Sequence, residues 1–347
     1  MVDRVLGAHT VGRFREEGRH IMARTMSGSK VQARRDRKLS KREWREARTF
    51  YLLITPFVAG FLFLYLAPGL VSIYTSFTQW NIINPPQWTG ADNYATLFTN
   101  DPDFAQAIKV TALYAALFLP VSLTLSLVLA LMMNRQRPGI NVFRAIYYMP
   151  SLLAGVSVGV LWIWIFDRQH GALDQILGFV GLPRIDWLNS TTWVVPAIVL
   201  TSLWGIGNTI VIYLAGLKGV PQPLYEAAEV DGAGWWARFW NVTIPLLSPT
   251  IFYNLLTGLI GVFQIFDGPY VLTQGKGGPP LLSGTNILGS SEFYMIKLYR
   301  DAFANNLYGK ASAEAVLLFV FIVLVTLIVL RTSRSWVFYE GNVVKGG

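Results

Sequence analysis

Six windows of about twenty apolar residues constrain this chain more than any other feature; they lie near 51–78, 109–133, 143–166, 192–216, 247–267 and 311–331. A stretch of that length can cross bilayer hydrocarbon only if its backbone N–H and C=O groups are paired, and a helix pairs them within one segment. The windows therefore predict an all-α membrane protein with six transmembrane helices. Charge content agrees: 14% of the 347 residues are charged, where a soluble domain carries about 25%.

Basic residues set the expected orientation. Of the 29 Lys and Arg, 22 fall before the first window, in 134–144, in 217–246 or from 331 onward, and seven fall on the other side. By the positive-inside tendency, both termini and the loop around Glu226 face the cytoplasm. Residues 1–49, with 14 basic and six acidic side chains, read as a disordered, lipid-facing cytoplasmic tail. A six-helix transmembrane domain follows over 50–332, with a cytoplasmic loop at 217–247, and 333–347 form a cytoplasmic end. Nothing downstream supports a nucleic-acid partner. The outer segment 171–188 predicts a short helix lying on the membrane surface.

Much chemistry is excluded at this level. The chain has no cysteine and three scattered histidines, His9, His20 and His170, so neither a thiolate site nor a His-based metal or acid–base cluster can be assembled. No GxxxxGK[ST] phosphate loop is present, so no catalytic residue, metal or cofactor is expected in this chain. Arg144, Asp267 and Glu314 sit near span ends and no ionisable residue occupies a span centre, which counts against a proton-coupled carrier. A stand-alone secondary carrier or channel for a small polar solute remains the rival class, and a membrane enzyme a weaker one.

Two stretches carry the functional signal. In 221–249, Pro221 and Pro223 can open a helix over 223–230. Gly232 can then take a backbone angle other residues avoid, and a second short helix through Trp236–Asn241 runs until Pro245 stops it. The product is a helical elbow suited to docking into another protein, though an ordinary interfacial loop has similar composition. In the fifth window, Asn254, Thr257, Gly258, Gly261 and Gln264 fall within about a third of the helix circumference. Such a stripe faces either neighbouring helices or a water-filled path. Gln264 and Asp267, beside Phe263 and Phe266, favour a sugar path, because sugars offer apolar ring faces to aromatics and hydroxyls to amides and carboxylates.

Glu226-Ala227-Ala228, then Gly232 after three residues, then Val242-Thr243-Ile244-Pro245 after nine, resembles the EAA loop of ABC importer permeases. Phe263-Gln264-Ile265-Phe266-Asp267, Tyr270-Val271-Leu272-Thr273, Trp80-Asn81, Asn93-Tyr94, Asp186-Trp187-Leu188 and Leu214-Ala215-Gly216-Leu217 extend the likeness over about 50–332, and point to the family's carbohydrate-uptake branch. The resemblance implies a type I ABC importer permease fold in a bacterial cytoplasmic membrane. It also implies coupling to an ATPase through Glu226, Ala227, Ala228, Asp231 and Gly232. Its partners would be a second homologous permease, two ATP-binding subunits that hold ATP and Mg, an extracytoplasmic sugar-binding protein and a sugar. Phe263, Gln264 and Asp267 match sugar contacts of the maltose-type permeases, which have Asn at the latter two. Trp204, Gly205 and Asn208 match the other contacting region, where an interfacial anchor and an interhelical hydrogen bond would explain Trp204 and Asn208 equally well. Asn254 and Thr257 complete the expected substrate set. The two extra leading spans and large outer domain of the maltose protein have no counterpart here.

Overall fold

The structure, a computed structural model, describes residues 41–135, 137–274 and 290–338. It falls into two compact units that divide between Gly69 and Leu70. The first holds helix α1 (Lys41–Phe61), a π-turn over Leu62–Leu66 and the start of α2 (Ala67–Thr75). Pro56 lies inside α1. The π-turn sits just ahead of Pro68, where Ala67 N–H bonds back to Leu62 O. That five-residue reach eases the clash a proline ring makes with the carbonyl four residues back. Large apolar side chains such as Leu52, Phe57, Phe63 and Leu64 are exposed along it, as suits a helix whose solvent is lipid.

The second unit opens with the rest of α2, then a two-stranded antiparallel hairpin, β1 (Thr78–Gln79) and β2 (Gln87–Trp88), followed by α3 (Asp92–Thr99) and α4 (Pro102–Met133). Asp101 caps α4 by accepting from Phe104 N, with Pro102 at its first turn. Next come α5 (Ile140–Tyr148), a 3₁₀ turn over Met149–Leu152, and α6 (Gly155–Ile165). Helix α7 (Ala172–Phe179) follows, at the segment expected to carry a short helix. Then come α8 (Val194–Trp204), α9 (Gly207–Gly219), α10 (Gln222–Val230), α11 (Trp235–Arg238) and α12 (Ile244–Phe263). The described helices end with α13 (Asp267–Gln274), α14 (Tyr294–Tyr299) and α15 (Tyr308–Ser333).

Among the described residues, four helical runs are long and apolar enough to cross a bilayer: Trp44–Thr75, Pro102–Met133, Trp235–Thr273 and Tyr308–Ser333. The third and fourth windows, expected as single helices, are bent pairs. Ile140–Leu152 meets Gly155–Ile165 at 102°, and Val194–Trp204 meets Gly207–Gly219 at 49°. The physical reasons are local. Pro150 sits in the 3₁₀ turn and Leu153 and Ala154 are extended, while Gly205 ends α8. The two breaks adjoin: a Cβ on Gly207 would lie 2.5 Å from Tyr147 O, so only glycine permits this approach.

Helix α4 runs through all three apolar clusters. Val110 and Tyr114 pack with Trp162, Ile198, Val262 and Phe293; Ala130 and Met133 with Tyr213, Leu214 and Leu247; Phe104 with Leu97, Tyr294 and Leu318. Lipid tails are as apolar as leucine, so within the bilayer such helices associate by close packing and polar contacts rather than by leaving water. Small residues supply the closeness. On α6, Gly155 and Gly159 stand one turn apart and face α13, where added Cβ atoms would lie 3.3 Å from Asp267 Cβ and 2.9 Å from Val271 Cβ. Outside the spans, Asn93 Nδ2 donates to Ser76 O and Thr78 O, both at 2.9 Å. Gly309 N donates to Trp80 O at 3.2 Å. The hairpin is thereby fixed to α3 and α15.

Candidate functional site

The elbow between α9 and α12 is built by local backbone chemistry. Pro221 leads into α10 and Pro223 lies in its first turn. At the other end Gly232 has φ +79°, Ala233 N donates to Ala228 O at 2.8 Å and Gly232 N to Glu229 O at 3.0 Å. That pair of bonds around a left-handed residue is a Schellman cap, which glycine adopts without a Cβ penalty. Arg238 of α11 pairs with Glu229 of α10 at 2.8 Å, and Tyr225 Oη and Thr243 Oγ1 lie 3.0 Å apart. Glu226, Ala227, Asp231 and Gly232 are exposed and Ala228 is half-buried. Val230, 88% exposed, stands at the tip, with Trp235, Trp236 and Trp240 exposed beside it.

Pro245 does not stop the second helix of the elbow. A π-turn over Phe239–Thr243 carries α11 into α12, with Ile244 N–H bonding back to Phe239 O. The same device precedes Pro68. The elbow is thus continuous with the helix that bears the polar stripe.

The stripe separates into two kinds of position. Asn254 is 3% exposed and lies beside Tyr213 of α9, so it belongs to helix packing and leaves the exposed set. Gly258 likewise packs, since a Cβ there would lie 2.8 Å from Leu119 Cδ1. Thr257, Gly261, Gln264 and Asp267 are exposed and Phe263 is half-buried. Gly261 has open space around it. Gln264 sits at the end of α12 and Asp267 opens α13. Trp204, Gly205 and Asn208 are exposed at the break between α8 and α9. Helix α6 bridges these regions: Gly155 touches Asp267, and Trp162, two turns on, meets Trp204 at 6.1 Å between ring centroids.

A buried ionic cluster joins Glu314, near a span end, to charges that lie outside the apolar windows. Lys297 of α14, its side chain 2% exposed, reaches Asp101 at 2.9 Å, Asp301 at 2.7 Å and Glu314 at 2.8 Å. Lys310 adds contacts to Asp101 at 2.7 Å and Asp301 at 3.1 Å. Arg300 pairs with Glu292 and, at 3.2 Å, with Asp103. Asp101, Asp301 and Glu314 come close enough to share a metal ion, but the Lys297 ammonium already stands among them. Burial alone would lower the Lys297 pKa; Glu314, Asp301 and Asp101 outweigh it and hold the amine above the ordinary lysine value. Burial would raise Asp301, yet Lys297 keeps it well below the usual carboxylate range. Glu292 behaves oppositely: burial pushes it up to about 7 despite Arg300. The cluster joins α4, α14 and α15 at one end of the bundle. Glu314, near the start of α15, is a fully buried partner.

Comparison with known proteins fits this arrangement. Residues 122–337 match the family described as the binding-protein-dependent transport system inner membrane component. A probable ABC transporter permease protein of Bacillus subtilis, YesP, is 37% identical over 294 residues, 84% of this chain and 92% of that one. The probable starch degradation products transport system permease AmyD of Thermoanaerobacterium thermosulfurigenes is 30% identical over 282 residues, 80% and 91% of the two chains. Among solved structures, a bacterial ABC transporter that imports the acidic polysaccharide alginate aligns with a TM-score of 0.73 and 25% identity, covering 85% of this chain and 99% of that one. With its apolar helical runs, the elbow and the polar stripe, the chain belongs to the binding-protein-dependent inner membrane components, the permeases of ABC transporters for sugars.

Proposed function

We propose that this permease forms half of a sugar translocation path in a bacterial cytoplasmic membrane and couples it to ATP hydrolysis through the elbow. The observation that carries the proposal is the fastened elbow, with its exposed tip at Val230 and its unbroken passage into α12. Glu226, Ala227, Ala228, Asp231 and Gly232 seat against a cytoplasmic ATP-binding subunit. ATP and Mg are bound there, and this chain performs no bond chemistry. A second homologous permease, two ATP-binding subunits and an extracytoplasmic sugar-binding protein complete the importer, with both termini and the elbow in the cytoplasm. Closure of the ATPases moves the elbows and rocks the bundle between inward- and outward-facing states.

Sugar passes Trp204, Asn208, Thr257, Phe263, Gln264 and Asp267, where aromatic faces and hydrogen-bonding groups are exposed. AmyD transports starch degradation products by its name, and a mono-, di- or oligosaccharide of that neutral kind suits this lining. Asp267 disfavours acidic glycans by like-charge repulsion. Glu226→Lys places a cation at the docking helix; in the reconstituted complex it is expected to abolish sugar uptake while ATP hydrolysis persists. Uptake per ATP equal to wild type would refute the docking role.

A further inference from the structure

A second site lies near the elbow but outside the sugar path. Residues at the C-terminal end of α4, the start of α5 and the last turn of α9 line an open cleft of about 540 Å³, among them Asn134, Arg137, Ile140, Asn141, Arg144 and Lys218. Three of these side chains are cations. Among the described residues none of the three forms an ion pair, and no acidic residue lines the cleft. Arg144 is held in place by its own end of the structure, donating from Nη2 to Met133 O at 2.6 Å and from Nη1 to Asn141 Oδ1 at 3.2 Å. Its Nε is buried with no hydrogen-bond partner. Three positive charges, of which Arg144 is held in place, with two amides and no acidic residue among the lining leave a field that an anion would satisfy.

The surface next to the cleft says which anion. Helix α5 is preceded by Gly139, which has φ +84° and no side-chain cap, and it turns 102° away from the direction of α6. Along it Val142, Phe143, Ile146 and Met149 are exposed. A helix with one cation, Arg144, beside two others from neighbouring segments and with exposed apolar side chains along it suits the membrane–water boundary. A free anion would need the cations but no apolar flank. We propose that this cleft binds the phosphate of an anionic phospholipid headgroup, with the acyl chains lying along the Phe143–Ile146 face of α5. Such a lipid would hold the α4–α5 turn against Lys218, the residue three places before the elbow opens at Pro221.

The test uses the full chain in nanodiscs of equal phosphatidylglycerol and phosphatidylcholine, with retained lipid read by native mass spectrometry. Arg137→Gln with Lys218→Gln leaves the Arg144 contact to Met133 intact, which keeps the fold out of the comparison. Wild type should retain phosphatidylglycerol over phosphatidylcholine. The double variant should lose that preference by about 30-fold, roughly fivefold per charge. A preference unchanged in the variant overturns the site. So does displacement of phosphatidylglycerol by millimolar inorganic phosphate, which would assign the cleft to a soluble anion. Since the chain has no native cysteine, Val142→Cys is labelled at one position. Protection of that thiol by a copurifying ATPase rather than by lipid would also overturn the lipid assignment.

Discussion

Replacing Lys297 by Met tests whether the ionic cluster holds the bundle end together. Lys297 Nζ touches three carboxylates within 2.9 Å. After substitution Lys310 still reaches Asp101 and Asp301 at 2.7 and 3.1 Å, so those two keep a partner. Glu314 does not: its Oε1 loses the Lys297 bond, and its Oε2 has no hydrogen-bond partner to begin with. Stranding one charge of a buried pair costs about 3–5 kcal/mol. At roughly 2–4 °C per kcal/mol for a chain of this size, the expected fall in Tm is about 6–20 °C. The Tm would be followed by fluorescence during heating of the detergent-solubilised protein. Adding Glu314→Gln to Lys297→Met removes the pair together and should recover more than half of the loss, because the cost lies in the unpaired charge. As a control, Arg42→Ala, which breaks an exposed pair with Glu46, should change stability by about 1 kcal/mol or less. A Lys297→Met Tm within about 2 °C of wild type would refute the reasoning, as would a double variant that loses the sum of the single effects.

Three further outcomes follow from the geometry. Gly159→Ala places a Cβ 2.9 Å from Val271 Cβ, and overpacking of a stiff β-branched neighbour should cost about 1–3 kcal/mol; Gly261→Ala, in open space, should leave Tm unchanged and lower sugar uptake. Gly232→Val forces a β-branched residue to φ +79° at a cost of about 1–2 kcal/mol, and reduced uptake per ATP with near-normal hydrolysis should report a displaced elbow. The Glu292 carboxyl is raised to about 7 from an ordinary 4.5, so the folded state binds more protons than the unfolded one between those values. Stability from this group should therefore fall as pH rises from about 4.5 to 7, and Glu292→Gln should flatten that part of a Tm–pH curve.

What the sequence disclosed, and what it hid, follows from how far apart the deciding residues lie. The elbow was legible because Pro221, Pro223 and Gly232 act on their own neighbours. Pro245 misled because a proline's lost hydrogen bond reads as a helix stop, whereas a π-turn just ahead of it, as ahead of Pro68, lets the helix run on. Hydropathy windows found six apolar stretches but were blind to the bends at Leu153–Ala154 and Gly205–Ile206, since apolar content is the same on both sides of a break. On the polar stripe, periodicity put Asn254 and Gln264 on one face; only packing against Tyr213 removed Asn254 from it. The ionic cluster draws on Asp101, Lys297, Asp301, Lys310 and Glu314, separated by up to 213 positions. Its local traces were the i,i+4 spacings of Lys297–Asp301 and Lys310–Glu314, which also mark ordinary surface pairs. The Gly155-x-x-x-Gly159 spacing was a readable sign of close helix approach that the hydropathy argument passed over.

The central claim is that this chain moves sugar only as part of an ATP-driven assembly. The most direct test is purification of the tagged chain from native membranes in mild detergent, followed by reconstitution of everything that comes with it into vesicles. We expect a copurifying ATP-binding subunit and a second, homologous permease, and sugar uptake that requires ATP on the elbow side and an external binding protein. A chain that purifies alone and carries sugar down an ion gradient without ATP would contradict the claim.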